Sequence, residues 1–288
     1  MSIPIDRVCQ FLAAAAPLKL AEDWDNVGLL FGDRSASAKR LMTCLTITPD
    51  VVDEAIERNV DLIIAHHPLP FRPLPRLTTD QIPGQMLWRL AGHQIAVYSA
   101  HTAYDSALDG INAQWCSRLN LVDVRPLTPA SPDTNANARG DRETNDESSE
   151  TVLGSGRCGR LPETKTLFGL IAEIAKTIPT GDLRFVGKPD RPIQKVAFGC
   201  GSGGSFLSPA IRLGCEVLVT GEATFHTLLE ARSRDTAMIL VGHYHSERFA
   251  MERLADRIDQ WASDEKLSLE CFASQLECDP VQRWNAGI

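Results

Sequence analysis

The chemistry-bearing residues of this chain gather in three short clusters, each placed where an apolar run ends. Val60-Asp61-Leu62-Ile63-Ile64-Ala65 leads into His66-His67-Pro68, and Ile95 to Tyr98 leads into His101-Thr102-Ala103-Tyr104-Asp105. Met238 to Val241 leads into His243-Tyr244-His245-Ser246-Glu247. Five of the seven histidines fall in these three places, which points to a shared task rather than even scatter.

Side-by-side imidazoles at a strand mouth suggest metal ligation. Successive side chains of an extended strand face opposite ways, so His66 and His67 would flank two ions more easily than grip one. The competing reading has one ring packed and the other exposed, and local sequence leaves both open. Asp105 follows His101 by four residues, a spacing that suits one face of a helical turn. Its carboxylate is a candidate bridge between two cations, or else a cap for a helix beginning near Leu108. His243 and Glu247 repeat the four-residue spacing. A mixed nitrogen and carboxylate donor set suits zinc, iron, manganese, cobalt or nickel better than calcium or a thiolate-seeking ion. Two such cations held close together support hydrolysis.

Two further segments follow strands. Gly199-Cys200-Gly201-Ser202-Gly203-Gly204-Ser205 offers backbone amides to a phosphate, or is simply a tight turn. It matches neither a P-loop nor G-x-G-x-x-G. In Thr220-Gly221-Glu222-Ala223-Thr224-Phe225-His226, Glu222 and His226 are candidate acid/base groups, against a capped helix start carrying an incidental histidine. No serine-nucleophile elbow is present.

The elements that must carry these residues alternate. Helices are expected over Asp6 to Ala16, Pro49 to Glu57, Pro83 to Ala91 and Asp109 to Leu119, with strands over Arg40 to Ile47, Asp61 to Ala65 and Gln94 to Ser99. The second half gives helices over Lys165 to Thr177, Phe206 to Leu213, Thr224 to Arg232 and Glu247 to Trp261. Its strands are Lys195 to Gly199, Glu216 to Thr220, Ala237 to Val241 and Leu267 to Phe272. Short apolar strands between helices imply sheets covered on both faces, with parallel neighbours. Ligands of such sheets sit beyond the strand C-termini. Residues 126–150 break the pattern as an acidic, flexible insert without large apolar residues beyond Leu127. They separate a lobe over 1–125, open to pairing with the C-terminal segment, from a lobe over 151–288.

At 288 residues, a net charge of −8 and no basic stripe argue against nucleic acid as a partner. No apolar stretch reaches membrane-span length, and the eight scattered cysteines contain no C-x-x-C pair. A cytoplasmic protein with reduced thiols is expected.

Taken together, the segments Ala21-Glu22-Asp23-Trp24-Asp25-Asn26-Val27-Gly28-Leu29-Leu30, His66-His67-Pro68-Leu69, His101 to Asp105, Gly201 to Ser205, Thr220-Gly221-Glu222 and Gly242 to Glu247 resemble the NIF-three-like dinuclear metal-centre family. This family is of the YbgI type, often labelled GTP cyclohydrolase 1 type 2 homologues. The resemblance spans nearly the whole chain in family order. It implies two α/β lobes with mixed, largely parallel sheets and the metals in the cleft between them, arranged as a ring-shaped homohexamer. It places two divalent ions on His66, His67, Asp105, His243 and Glu247, and puts His101 nearby for proton transfer. Thr46 stands where the family often has an aspartate, and residues 126–150 are too short and polar for the domain that some relatives insert. The function so implied is a metal-dependent hydrolase acting on a nucleotide-like or phosphorylated small molecule. The alternative is a non-enzymatic metal-handling or scaffold ring.

Overall fold

The computed structural model describes residues 3–131, 153–178 and 183–282. Most of the acidic segment, from 132 to 150, lies outside the described residues.

Two mixed sheets form the frame. In the first, strands Glu270–Ala273, Arg40–Cys44, Leu62–Ala65 and Ala96–Ser99 lie side by side and parallel, and Gly28–Phe31 closes the edge antiparallel to Ala96–Ser99. The last strand of the chain thus joins the sheet built by the first half. In the second, Pro192–Gly199, Val217–Thr220 and Ala237–Leu240 are parallel. Arg184–Val186 flanks them on one side, and Arg157–Thr166 followed by Val122–Arg125 on the other, each antiparallel to the strand it pairs with on the inner side.

The inner parallel strands were legible because they are buried throughout, as in Leu62–Ala65 and Val217–Thr220. Strands covered by helices on both faces read as unbroken apolar runs. Alternate side chains then go to different cores. Leu62 and Ile64 join Val217 and Val219 in one central core, with Trp115, Leu170 and Leu254 supplied by helices Ile111–Arg118, Leu167–Thr177 and Phe249–Asp264. Ile63 and Ala65 face an outer core with helices Pro49–Glu57 and Ile82–Gly92. Leu218 and Met238 do the same on the far side, against Leu207 and Ala231. The helices between the two sheets therefore pack against both, which fixes the two strand edges relative to one another.

The antiparallel edges escape a search for apolar runs. Val122–Arg125 is exposed throughout, and Arg157–Thr166 is largely polar. Arg157 itself is buried, and its guanidinium donates to the carbonyls of Gly154, Gly156, Ser106 and Ala107 at 2.5–3.0 Å. The last two end helix His101–Ser106, where a cation complements the helix dipole. That anchor holds the turn carrying His101 and Asp105.

Helix Pro49–Glu57 shows the local logic. Thr48 caps it by accepting from the Val51 amide at 3.3 Å, and Pro49 occupies a first-turn position where no amide is needed. Among the described residues, no helix is long and apolar enough to cross a membrane. All eight cysteines are free thiols.

Candidate metal centre

The strand holding the tandem histidines stops at Ala65, and residues 66–67 form a bend. Strand alternation ends with it. Both rings swing toward one side, with centroids 5.1 Å apart, contrary to the opposed directions expected of an extended segment. The backbone is pinned all the same: the His66 and His67 amides donate to the carbonyls of Cys44 and Leu45, and buried Ser99 donates its hydroxyl to the His66 carbonyl at 2.7 Å.

Helix His101–Ser106 begins just after strand Ala96–Ser99 and places His101 and Asp105 on one face. Asp105 is not a helix cap, because helix Ile111–Arg118 takes Gly110 at that position. From the second sheet, helix His243–Glu247 follows strand Ala237–Leu240, and its single turn sets His243 Nε2 3.2 Å from Glu247 Oε2.

Two groups of donors with metal-ligand spacing result: His66, His67 and His101, and His67, His243 and Glu247. The second is a tight tripod. His67 Nε2 lies 3.3 Å from Glu247 Oε2 and 3.4 Å from His243 Nε2. Donors bound about 2.0 Å from a tetrahedral ion stand about 3.3 Å apart, so the tripod already has the edge lengths of a coordination sphere. The other carboxylate oxygen, Glu247 Oε1, faces His66 Nε2 at 3.9 Å. Asp105 Oδ1 is 3.6 Å from His66 Nε2 and accepts from the Cys200 thiol at 3.1 Å. The carboxylate that reaches both groups is thus Glu247, where the sequence had suggested Asp105.

Orphaned polar atoms point the same way. His66 is 3% exposed, and neither ring nitrogen has a hydrogen-bond partner; buried Glu247 Oε2 has none either. Native proteins rarely bury such atoms unsatisfied. Cations placed among these donors would satisfy His66 Nε2, which faces the Asp105 and Glu247 carboxylates, and Glu247 Oε2, so the residues present fit metal ions.

Electrostatics couples the donors to one another. Burial above all pushes the His66 imidazole well below its ordinary pKa, which keeps it neutral with a free lone pair. Burial opposes the charge on Glu247, but the nearby His243 and His67 rings outweigh it and hold the carboxyl below the usual range. Asp105 is pushed up to about 7, first by burial and then by the Glu247 charge. His243 is raised to about 9, chiefly by Glu247. Two carboxylates crowded in a closed space call for positive charge between them.

A ring of supporting residues orients the histidines. His101 Nδ1 donates to Asp25 Oδ1 at 2.7 Å, leaving its other nitrogen for the cluster. Asp25 also accepts from the Thr102 amide and hydroxyl at 3.1 and 2.5 Å. Burial disfavours the Asp25 charge, but these bonds outweigh it and bring its pKa down to about 2. His243 Nδ1 donates to Glu222 Oε1 at 2.9 Å, and Ser202 donates to the same oxygen at 2.6 Å. Thr46 Oγ1 meets His67 Nδ1 at 2.7 Å, so only Nε2 of His67 is left for the tripod. Thr46 is held in turn by Glu277, whose carboxylate accepts from the Leu45 and Thr46 amides at 2.9 and 2.5 Å.

Such outer partners typically govern metal affinity by ~10–100-fold. Thr46→Val keeps the shape and removes the bond to His67, so metal affinity should fall within that range. Titration against a competing chelator measures it, and an unchanged affinity would show that Thr46 does not orient the ring.

The glycine-rich segment has the form of the tight turn, the second of the two readings open from sequence. The Cys200, Gly201 and Gly203 amides already donate to Asn112 Oδ1, Ser246 Oγ and Thr220 Oγ1 at 2.9–3.0 Å. Gly201 instead provides space. Its φ is +58°, and a Cβ there would stand 2.3 Å from Glu247 Oε1. Of the sequence-derived acid/base candidates, Glu222 contacts the centre. His226 does not: it is exposed on helix Phe225–Ser233, and its ring contact is with Phe225 at 5.9 Å. Asp25, Cys200, Gly201 and Glu277 were not singled out from sequence for a role here. Asp25 lay inside a segment already noted for its resemblance; nothing local marked Glu277.

Comparisons with known proteins agree with this architecture. A "GTP cyclohydrolase 1 type 2 homolog" from Clostridium acetobutylicum is 30% identical over 282 residues, covering 98% of this chain and 99% of that protein. "NIF3-like protein 1" of Drosophila melanogaster is 31% identical over 275 residues, covering 92% and 84%. The crystal structure of Staphylococcus aureus protein SA1388 superposes with a TM-score of 0.84 at 26% identity, covering 98% and 99%. A family model described as Duf34/NIF3 (NGG1p interacting factor 3) matches residues 3–280, and the chain belongs to that family.

Proposed function

We propose that this protein is a dinuclear metal-dependent hydrolase acting on a nucleotide-like or phosphorylated small molecule. The observation that carries the reading is Glu247, which turns one oxygen to the His67–His243 tripod and the other to His66. One ion would be held by His67, His243 and Glu247, and a second by His66, Asp105 and His101 together with the other oxygen of Glu247. Two divalent ions so held would supply Lewis acidity and activate water at neutral pH. The set of imidazole and carboxylate donors suits zinc, iron, manganese, cobalt or nickel.

The chain's own residues support the assignment. Asp25, fixed as an anion, sets the tautomer of His101 in the carboxylate–histidine–metal manner. Glu222 does the same for His243 and, being half exposed, is also the acid/base candidate nearest open solvent. His226, exposed on its helix beside Phe225, is given no role in this proposal. A ring-shaped homohexamer in the cytoplasm remains part of the proposal. The exposed pair Phe168 and Phe185, 5.3 Å apart, supplies an apolar patch suited to a subunit contact.

The test is turnover. Protein loaded separately with manganese, zinc, iron and cobalt should hydrolyse at least one member of a nucleotide and phosphoester panel, and Asp105→Ala should lower that rate by 100-fold or more, on the order of removing one major electrostatic contributor. No turnover with any of the metals, or turnover indifferent to Asp105→Ala, would overturn the hydrolase reading and favour metal handling.

A further inference from the structure

Three consecutive residues, Trp24, Asp25 and Asn26, each take a separate position around the centre. Asp25 holds His101 from behind. Asn26 donates from Nδ2 to the Pro70 carbonyl at 2.9 Å, tying its loop to the one that carries Phe71. Trp24 then stands beside Phe71 with ring centroids 6.0 Å apart and planes inclined at 45°. Both rings meet His101 edge-on, at 5.9 and 6.1 Å. The two loops thus deliver a pair of aromatic rings to the rim of the metal centre.

Neither ring is used to build the core. Trp24 is 62% exposed and Phe71 50%, whereas His101 beneath them is largely covered. A single exposed aromatic is ordinary. Two whose loops are tied by the Asn26–Pro70 hydrogen bond, and that both lean on a candidate metal ligand, are a built feature.

We propose that Trp24 and Phe71 form a ring-binding subsite that takes a flat heteroaromatic group of the substrate and holds it over the metal centre. The inference rests on the hydrolase reading for its substrate, and adds the part of the molecule that is recognised and the residues that recognise it. Geometry decides the mode of binding. A ring sandwiched between two others needs about 7 Å, twice a carbon–carbon contact of 3.5 Å. The 6.0 Å between Trp24 and Phe71 is too short for that. The ligand ring therefore stacks on the open face of the indole, and Phe71 forms a side wall. Trp24 contributes most of the contact and Phe71 a smaller share.

The experiment uses the full-length protein loaded with manganese, titrated with guanosine, adenosine and ribose 5-phosphate by calorimetry and by quenching of tryptophan emission. The nucleosides should bind, and Trp24→Ala should weaken them roughly tenfold or more, the usual worth of one base stacked on an aromatic side chain. Trp24→Phe should recover most of the loss, and Phe71→Leu should cost less than Trp24→Ala. Affinity for ribose 5-phosphate, which lacks the ring, should be the same in wild type and Trp24→Ala, with manganese content equal in both. The subsite is overturned if wild type binds neither nucleoside at millimolar concentration, if Trp24→Ala binds them as well as wild type, or if ribose 5-phosphate or manganese is lost to the same extent. The two readings separate cleanly. Trp24-dependent nucleoside binding without turnover keeps the subsite and sinks the hydrolase. Turnover that responds to Asp105→Ala, with nucleoside binding indifferent to Trp24, does the reverse.

Discussion

On the proposed dinuclear reading, Glu247→Ala should empty both metal positions at once, whereas His243→Ala should leave one of the two occupied. The difference follows from how the carboxylate is shared. Glu247 Oε2 closes the tripod with His67 and His243 at 3.3 and 3.2 Å, while Oε1 faces His66 at 3.9 Å. His243 contributes to the tripod alone. Removing Glu247 also takes away a buried anion that lies within 3.9 Å of His66, His67 and His243, so a cation brought among them would meet less compensating charge. Elemental analysis after defined loading reads the result directly. Equal metal content in the two variants would show that the carboxylate does not join the two positions.

Gly201→Ala is expected to be nearly as damaging, although it adds one methyl group. With φ at +58°, any L side chain is strained by about 1 kcal/mol or more. The larger effect is steric. The new Cβ would stand 2.3 Å from Glu247 Oε1 and 3.3 Å from His243 Nε2. A long side chain on a surface would rotate away, but Glu247 is 3% exposed and hemmed in by His66, His67 and His243. Its displacement opens the tripod. Metal affinity should fall by ~100-fold or more, beyond the range of an outer partner, with thermal unfolding a few degrees lower. Chelator competition and calorimetry measure the two effects. Wild-type affinity in Gly201→Ala would mean that the carboxylate has room to move.

How far the sequence discloses such a site depends on which contacts are local. His243 and Glu247 were readable because a four-residue spacing becomes a shared face within one helical turn. The parallel strands were readable because burial on both faces leaves unbroken apolar runs such as Leu62-Ile63-Ile64-Ala65. The direction of His66 and His67 was not, because it turns on where strand geometry gives way to a bend. The part played by the glycine-rich turn was hidden for another reason. Its amides are satisfied by Asn112, Thr220 and Ser246, three residues scattered along the chain that only the fold assembles. Asp25 and Glu277 act across 76 and 231 residues, on His101 and Thr46 respectively. No periodicity in a linear chain reports contacts of that separation. His226 shows the opposite error, since proximity in sequence to Glu222 did not carry it into the centre.

The return of the last strand to the first sheet has a consequence for truncation. Glu270–Ala273 completes the row beside Arg40–Cys44, and Glu277 just beyond it holds the Leu45 and Thr46 amides that steady His67. Every histidine of the centre has been translated by residue 243, yet His67 lacks its full backing until some thirty residues more have emerged. A chain shortened before Glu277 would therefore carry the ligands without the final backing of His67, and full metal affinity should depend on a segment that touches none of the donors directly.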